Sequence, residues 1–197
     1  MQRFALILAL TAASVLAQTP RKPGLYAVFQ TSEGNFTAQL FEKETPKTVA
    51  NFVGLAQGTK AWADPKTHEI VRRPLYRDIT FHRIVPHEAI QAGDPTGLGT
   101  HNCGIHLTDE FLPGLRFDKP GKLAMANTGE PDSGGCQFFI TADIKSTWTG
   151  KYTIFGQVVD GMDVVENISR VPTHNEKPVT PVKLIGVTIE RVTREKR

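Results

Sequence analysis

The chain has 197 residues, enough for one domain with a sizeable core of its own. Its 40% apolar and 22% charged content excludes disordered and fibrous classes. With 23 Lys and Arg against 20 Asp and Glu, the net charge of +3 is too mild to argue for a nucleic-acid or membrane-surface partner.

In chain order, Met1-Gln2-Arg3 carries one positive charge, residues 4–13 are an almost unbroken apolar run, and Val15-Leu16-Ala17 offers a cleavage site. This three-part pattern is expected to be a secretory signal peptide over 1–17, too short for a comfortable membrane span. An uncleaved anchor is the alternative. Export places the mature protein in the periplasm or outside the cell. A short polar lead over 18–24 precedes the domain at 25–192, and 193–197 form a charged tail.

Residues 25–31 (LYAVFQT) read as a strand, Ser32-Glu33-Gly34-Asn35 as a turn, and 36–41 as the returning strand of a hairpin. Thr45 is the expected N-cap of a helix, with Pro46 at its first position and Gly58 just past its end. Val49, Phe52, Val53 and Ala56 give that helix a buried face at three-four spacing. The stretch 58–74 reads as a polar loop. Short apolar runs over 80–85, 123–127, 137–141 and 153–159 read as strands, a second helix fits 162–170, and 184–192 closes as a strand. Many short strands with two separated helices point to an antiparallel β-barrel with the helices capping its ends.

Two cysteines, Cys103 and Cys136, stand 33 positions apart. In an oxidising compartment a disulfide between them persists, and free thiols are the alternative. A zinc site with His101 and His106 is also conceivable, but the spacing matches no standard zinc pattern. Neither cysteine has the sequence context of a nucleophile.

Four segments, in order, carry a stronger signal: PKTVANFVGLA (46–56), FHRIVP running into IQAGDPT (81–96), LAMANTG (123–129), and QFFIT with YTIFGQV (137–158). Together they closely resemble the cyclophilins, and the likeness spans about 25–192. The resemblance implies a mainly β fold, a closed eight-stranded antiparallel barrel with two capping helices. It implies peptidyl-prolyl cis–trans isomerase activity on proline-containing polypeptides, without metal or other cofactor, in a protein expected to be a monomer. An exported form would assist the folding of exported proteins. The alternative is a cyclophilin-fold peptide-binding module with little turnover.

The resemblance also assigns roles. Arg83 would be the catalytic donor to the twisting amide. Gln91 would hold Arg83 and the substrate backbone, Asn127 would meet the peptide through its own backbone, and Phe139 would floor the proline pocket. Ala126, Gln137, Trp148 and Tyr152 complete the groove. His82 would be a structurally bonded histidine. Glu88 and Ala89 occupy positions where cyclophilins usually carry Phe-Met as pocket walls, and Thr149 is expected in place of an apolar wall residue. Glu88 is expected to keep water near the amide and also to pair with Arg83; the alternative is that it turns into solvent and does nothing. In cyclophilins the segments holding Cys103 and Cys136 lie near each other, so the resemblance implies that the two cysteines bond.

Overall fold

The computed structural model describes residues 21–194; the expected signal peptide and the last three residues of the tail lie outside the described residues. Alternation of apolar and polar residues builds the first hairpin. Between β1 (Gly24–Thr31) and β2 (Gly34–Leu40), Ala27 faces Ala38 and Phe29 faces Phe36 across an antiparallel ladder. The last pair stacks at 4.6 Å between ring centroids.

Helix α1 (Pro46–Gln57) follows. It ends at Gly58, whose φ of 75° is left-handed and whose α-carbon lies so near Pro74 that a Cβ would meet its nitrogen at 2.5 Å. Its start differs from expectation. The Thr45 hydroxyl donates back to the Phe41 carbonyl oxygen at 3.2 Å and caps nothing. The Glu110 carboxylate does the capping, accepting from the Lys47 and Thr48 N–H groups at 3.1 and 2.8 Å. A carboxylate there satisfies orphan donors and faces the positive end of the helix dipole. Val49, Phe52 and Ala56 are buried as expected, while Val53 is partly buried. Phe52 packs against Phe29, Tyr76, Phe138 and Phe155 at centroid distances of 5.0–6.0 Å. Each such ring, fully removed from water, contributes about 1.5–3 kcal/mol, so this aromatic knot is a principal source of stability.

The stretch expected as a loop over 58–74 contains a small hairpin, β3 (Trp62–Ala63) with β4 (Ile70–Val71). Strands of two residues are too short to show a period, which is why pattern reading passes over them. The expected strand over 80–85 is split into β5 (Ile79–Thr80) and β6 (Arg83–Val85). Then come β7 (Ala89–Ala92), β8 (Lys122–Met125), β9 (Phe138–Thr141) and β10 (Ile154–Asp160). Helix α2 (Met162–Ser169) buries Val165 and Ile168. A second small hairpin, β11 (Thr173–His174) with β12 (Lys177–Pro178), precedes the last strand, β13 (Lys183–Val192).

One antiparallel sheet orders nine strands as β5-β13-β1-β2-β10-β8-β9-β7-β6. Its first and last members, β5 and β6, are joined by only Phe81 and His82, so the sheet must curl until its edges meet. The barrel-like fold expected from the sequence is therefore present, with nine strands rather than eight. The circuit closes at this seam through the chain itself, without a β5–β6 ladder.

The β11–β12 hairpin turns on Asn175 and Glu176, both in left-handed conformation at φ 49° and 61°. A two-residue turn with both φ positive is of type I′, which asks for Asn or Asp first and Gly second. Asn175 obeys the rule. Glu176 breaks it, at a strain of about 1–3 kcal/mol.

Candidate active site

Strand register lines up the key side chains. Arg83 on β6 lies opposite Gln91 on β7, Gln91 opposite Phe139 on β9, and Phe139 opposite Ala124 on β8. Because strand side chains alternate, this row shares one face. The next row, Ile84, Ile90, Ile140 and Leu123, points to the other face and is fully buried in the core. Arg83, Gln91 and Phe139 of the first row line a cavity of about 410 Å³.

The cavity is lined by Arg83, Glu88, Ala89 and Gln91 from one side and by Ala126, Asn127 and Phe139 from the other. Trp148 and Tyr152 complete the apolar wall, with rings 5.6 and 5.1 Å from that of Phe139. Trp148 comes from a short 3-10 turn, Ser146–Trp148. Beneath Phe139 lies Phe117, fully buried and nearly parallel at 5.9 Å. Gln137 faces a smaller neighbouring cavity of about 130 Å³, which shares Gln91, Ala126 and Asn127.

A chain of hydrogen bonds fixes the polar wall. Arg83 Nη1 donates to Gln91 Oε1 at 3.3 Å, Gln91 Nε2 to Gln137 Oε1 at 2.9 Å, and Gln137 Nε2 to the Gly99 and His101 carbonyl oxygens at 3.1 and 3.0 Å. Arginine can only donate and a carbonyl can only accept, so the ends dictate how both amides point. Arg83 Nε also donates to the Glu176 carboxylate at 2.6 Å. Asn127 is held through its side chain, Nδ2 donating to the Lys151 carbonyl oxygen at 2.9 Å.

The loop that supplies the accepting carbonyls is organised by Asp94, itself fully buried. Its carboxylate accepts from the Thr96 N–H and hydroxyl and from the Thr100 and His101 N–H groups. Burial would raise its pKa, but the Thr96 hydroxyl and these N–H groups outweigh it and hold the carboxyl below its ordinary value. Cys103 and Cys136 form a disulfide at the end of the same loop, with Cα atoms 6.0 Å apart. Both sulfurs are thus consumed, and the zinc alternative loses its thiolate ligands. His82 departs from expectation, since among the described residues neither ring nitrogen has a hydrogen-bond partner. Burial holds its pKa below the ordinary value against the opposing Asp94 charge.

The family described as cyclophilin type peptidyl-prolyl cis-trans isomerase/CLD matches residues 26–189. The chain belongs to the cyclophilin family. Peptidyl-prolyl cis-trans isomerase A of Mycobacterium tuberculosis is 45% identical over 166 residues, 83% of this chain and 91% of that protein. Peptidyl-prolyl cis-trans isomerase B of Streptomyces anulatus is 43% identical over 170 residues, 84% and 97% of the two chains. Among solved structures, a Cryptosporidium parvum cyclophilin type isomerase matches with a TM-score of 0.74 at 28% identity, covering 85% of this chain and 98% of that one. The same protein was also solved in the presence of the dipeptide Ala-Pro, and matches equally.

Within this cyclophilin the expected Glu88–Arg83 pairing and the expected wall position of Thr149 are not found. Glu88 does not pair with Arg83; its carboxylate meets Lys145 Nζ at 2.9 Å, and Lys145 in turn sits 5.8 Å from the Trp148 ring. Thr149 does not line the cavity, and its hydroxyl accepts the Phe117 N–H at 3.1 Å. Sequence reasoning missed Val85, Glu176 and Phe117. Val85 is visible in retrospect as two residues on from Arg83, hence on the same strand face. Nothing local marks Glu176, which is 93 positions from its partner.

Proposed function

We propose that this cyclophilin catalyses rotation about Xaa-Pro bonds of exported polypeptides, acting as a monomer with Arg83 as the electrostatic catalyst. The observation that carries the reading is an arginine fork, anchored at two nitrogens, on the wall of a cavity floored by Phe139. Amide resonance imposes a barrier of about 18–20 kcal/mol, and unaided exchange takes tens to hundreds of seconds. Reaching on the order of a thousand turnovers per second requires lowering it by about 7 kcal/mol. As the bond twists, the prolyl nitrogen becomes pyramidal and gains a lone pair, and the carbonyl polarises. No bond is made or broken, so the protein must only favour the twisted geometry. Among the described residues no partner takes the Nη2 donors of Arg83, which leaves them for the substrate. One charge-assisted hydrogen bond contributes about 1.5–3 kcal/mol. The remainder comes from holding the proline ring on Phe139, Trp148 and Tyr152 while the flanking backbone is fixed beside Gln91 and Asn127.

Two features support export: the leader-like residues 1–17, and the Cys103–Cys136 bond, which suits an oxidising compartment. The Glu88 and Ala89 substitutions favour a second reading, a peptide binder with little turnover. Exchange spectroscopy on a short Xaa-Pro peptide separates the two. The parent is expected to broaden both proline isomer signals. Arg83→Lys keeps the charge but loses the planar fork, and is expected to lower exchange by about tenfold with its melting curve unchanged. Binding without exchange in the parent establishes the second reading, and a Lys variant as active as the parent removes Arg83 from the mechanism.

A further inference from the structure

We propose that Glu176 is a positioning residue for Arg83, carried to the active site by the β11–β12 hairpin; the inference rests on the isomerase reading above. The first observation concerns the backbone. Glu176 occupies the second position of a type I′ turn at φ 61°, where glycine is the residue that fits. A side chain that its own conformation disfavours must be retained by what it does elsewhere. Both ends of the residue reach β6. Its carbonyl oxygen accepts the Ile84 N–H at 2.7 Å, and its carboxylate takes Arg83 Nε–H at 2.6 Å.

The second observation concerns the guanidinium. The group is planar, with its donors in a rigid fork. Glu176 holds it at Nε and Gln91 holds it at Nη1, on two different nitrogens, so both its tilt and its position are set before substrate arrives. Gln91 alone, at 3.3 Å, leaves the plane free to swing about that single contact. Glu176 also lines the cavity, beside Arg83 and Gln91.

The third observation concerns magnitude. The side chains of Arg83 and Glu176 are 51% and 44% exposed, and an ion pair so wet adds little to folding. Its effect therefore lies in orientation. Orientation matters most where the amide is twisted, so it is read in kcat rather than in KM.

Three proteins test this: the parent, Glu176→Gly and Glu176→Gln. Each is measured for exchange on an Ala-Pro peptide, for melting temperature, and for the Arg83 Nε–H resonance. Glycine relieves the turn, so Glu176→Gly is expected to melt at or above the parent while kcat falls about fivefold and KM stays within about twofold. Its Nε–H resonance is expected to lose the shift and slow solvent exchange of a bonded proton. Glutamine still offers an amide oxygen to Nε–H and is expected to keep at least about half the parental kcat. Opposite signs for stability and turnover are what a merely structural residue cannot give. The inference is overturned if Glu176→Gly turns over as fast as the parent or faster, the latter marking Glu176 as a brake. A loss confined to KM, or one matched by a lower melting temperature, overturns it equally. A parent with no exchange refutes the isomerase reading itself, whereas an active parent with an equally active glycine variant refutes only the role of Glu176.

Discussion

Glu88 and Ala89 show how two side chains can reshape a pocket without touching Arg83. Ala89 is buried beside Phe139, and its methyl faces the cavity where a longer side chain would fill space. Glu88 pairs with Lys145 at the rim, and its part-exposed carboxylate is expected to bring water and a higher local dielectric beside a bound amide. Both effects are expected to weaken the grip on a proline ring. Replacing Glu88→Phe together with Ala89→Met is therefore expected to raise kcat/KM on an Ala-Pro or Gly-Pro peptide by about threefold or more, chiefly through KM. Glu88→Gln alone is expected to recover part of the gain, because Lys145 keeps its place over Trp148. Steady-state exchange over a peptide titration decides it; a well-folded double variant with unchanged kcat/KM shows that the aromatic trio encloses the proline unaided.

Helix α1 illustrates what an element borrows from distant sequence. Its N-terminus is closed by Glu110, 62 positions beyond Thr48, whose N–H and hydroxyl it binds at 2.8 and 2.7 Å. Glu110→Ala is expected to lower stability by about 1–2 kcal/mol in urea unfolding, with activity of the folded protein unchanged. A loss below about 0.3 kcal/mol would show that Thr45 or water takes over the cap. The same distinction explains what could be read from the chain beforehand. Elements with a period or a punctuating residue were legible: the first hairpin by alternation, α1 by Pro46 and Gly58, α2 after Asp160-Gly161, and β13 by its apolar run. That Arg83, Gln91, Phe139 and Tyr152 gather around one groove was legible because they sit in motifs. Contacts that depend on tertiary approach were not. Glu110 on the helix, Glu176 on the guanidinium and Lys145 on Glu88 have nothing in their neighbourhoods to announce them. The two-residue strands β3, β4, β11 and β12 have no room for a pattern.

At the scale of the whole molecule, the Cys103–Cys136 bond ties the loop that supports Gln137 to the strand that carries Phe139. Its closure over a separation of 33 residues removes chain entropy from the unfolded state worth about 3–4 kcal/mol. The double variant Cys103→Ser, Cys136→Ser is expected to lose about that much in denaturant unfolding, and to turn over more slowly because the Gly99 and His101 carbonyls lose their anchorage. A difference under about 1 kcal/mol would show that packing alone fixes the loop. The bond has another consequence, for survival among proteases. The segment it encloses contains β8 and two open stretches, 111–114 and 128–132, in which every residue is exposed. Exposed loop tips are where nicking begins. A single cut there leaves two pieces that are still one covalent molecule, with the groove strands on both sides of the break held in register by their ladders. The two pieces stay joined at Cys103 and Cys136, so the cross-link lets the molecule outlast its own cleavage.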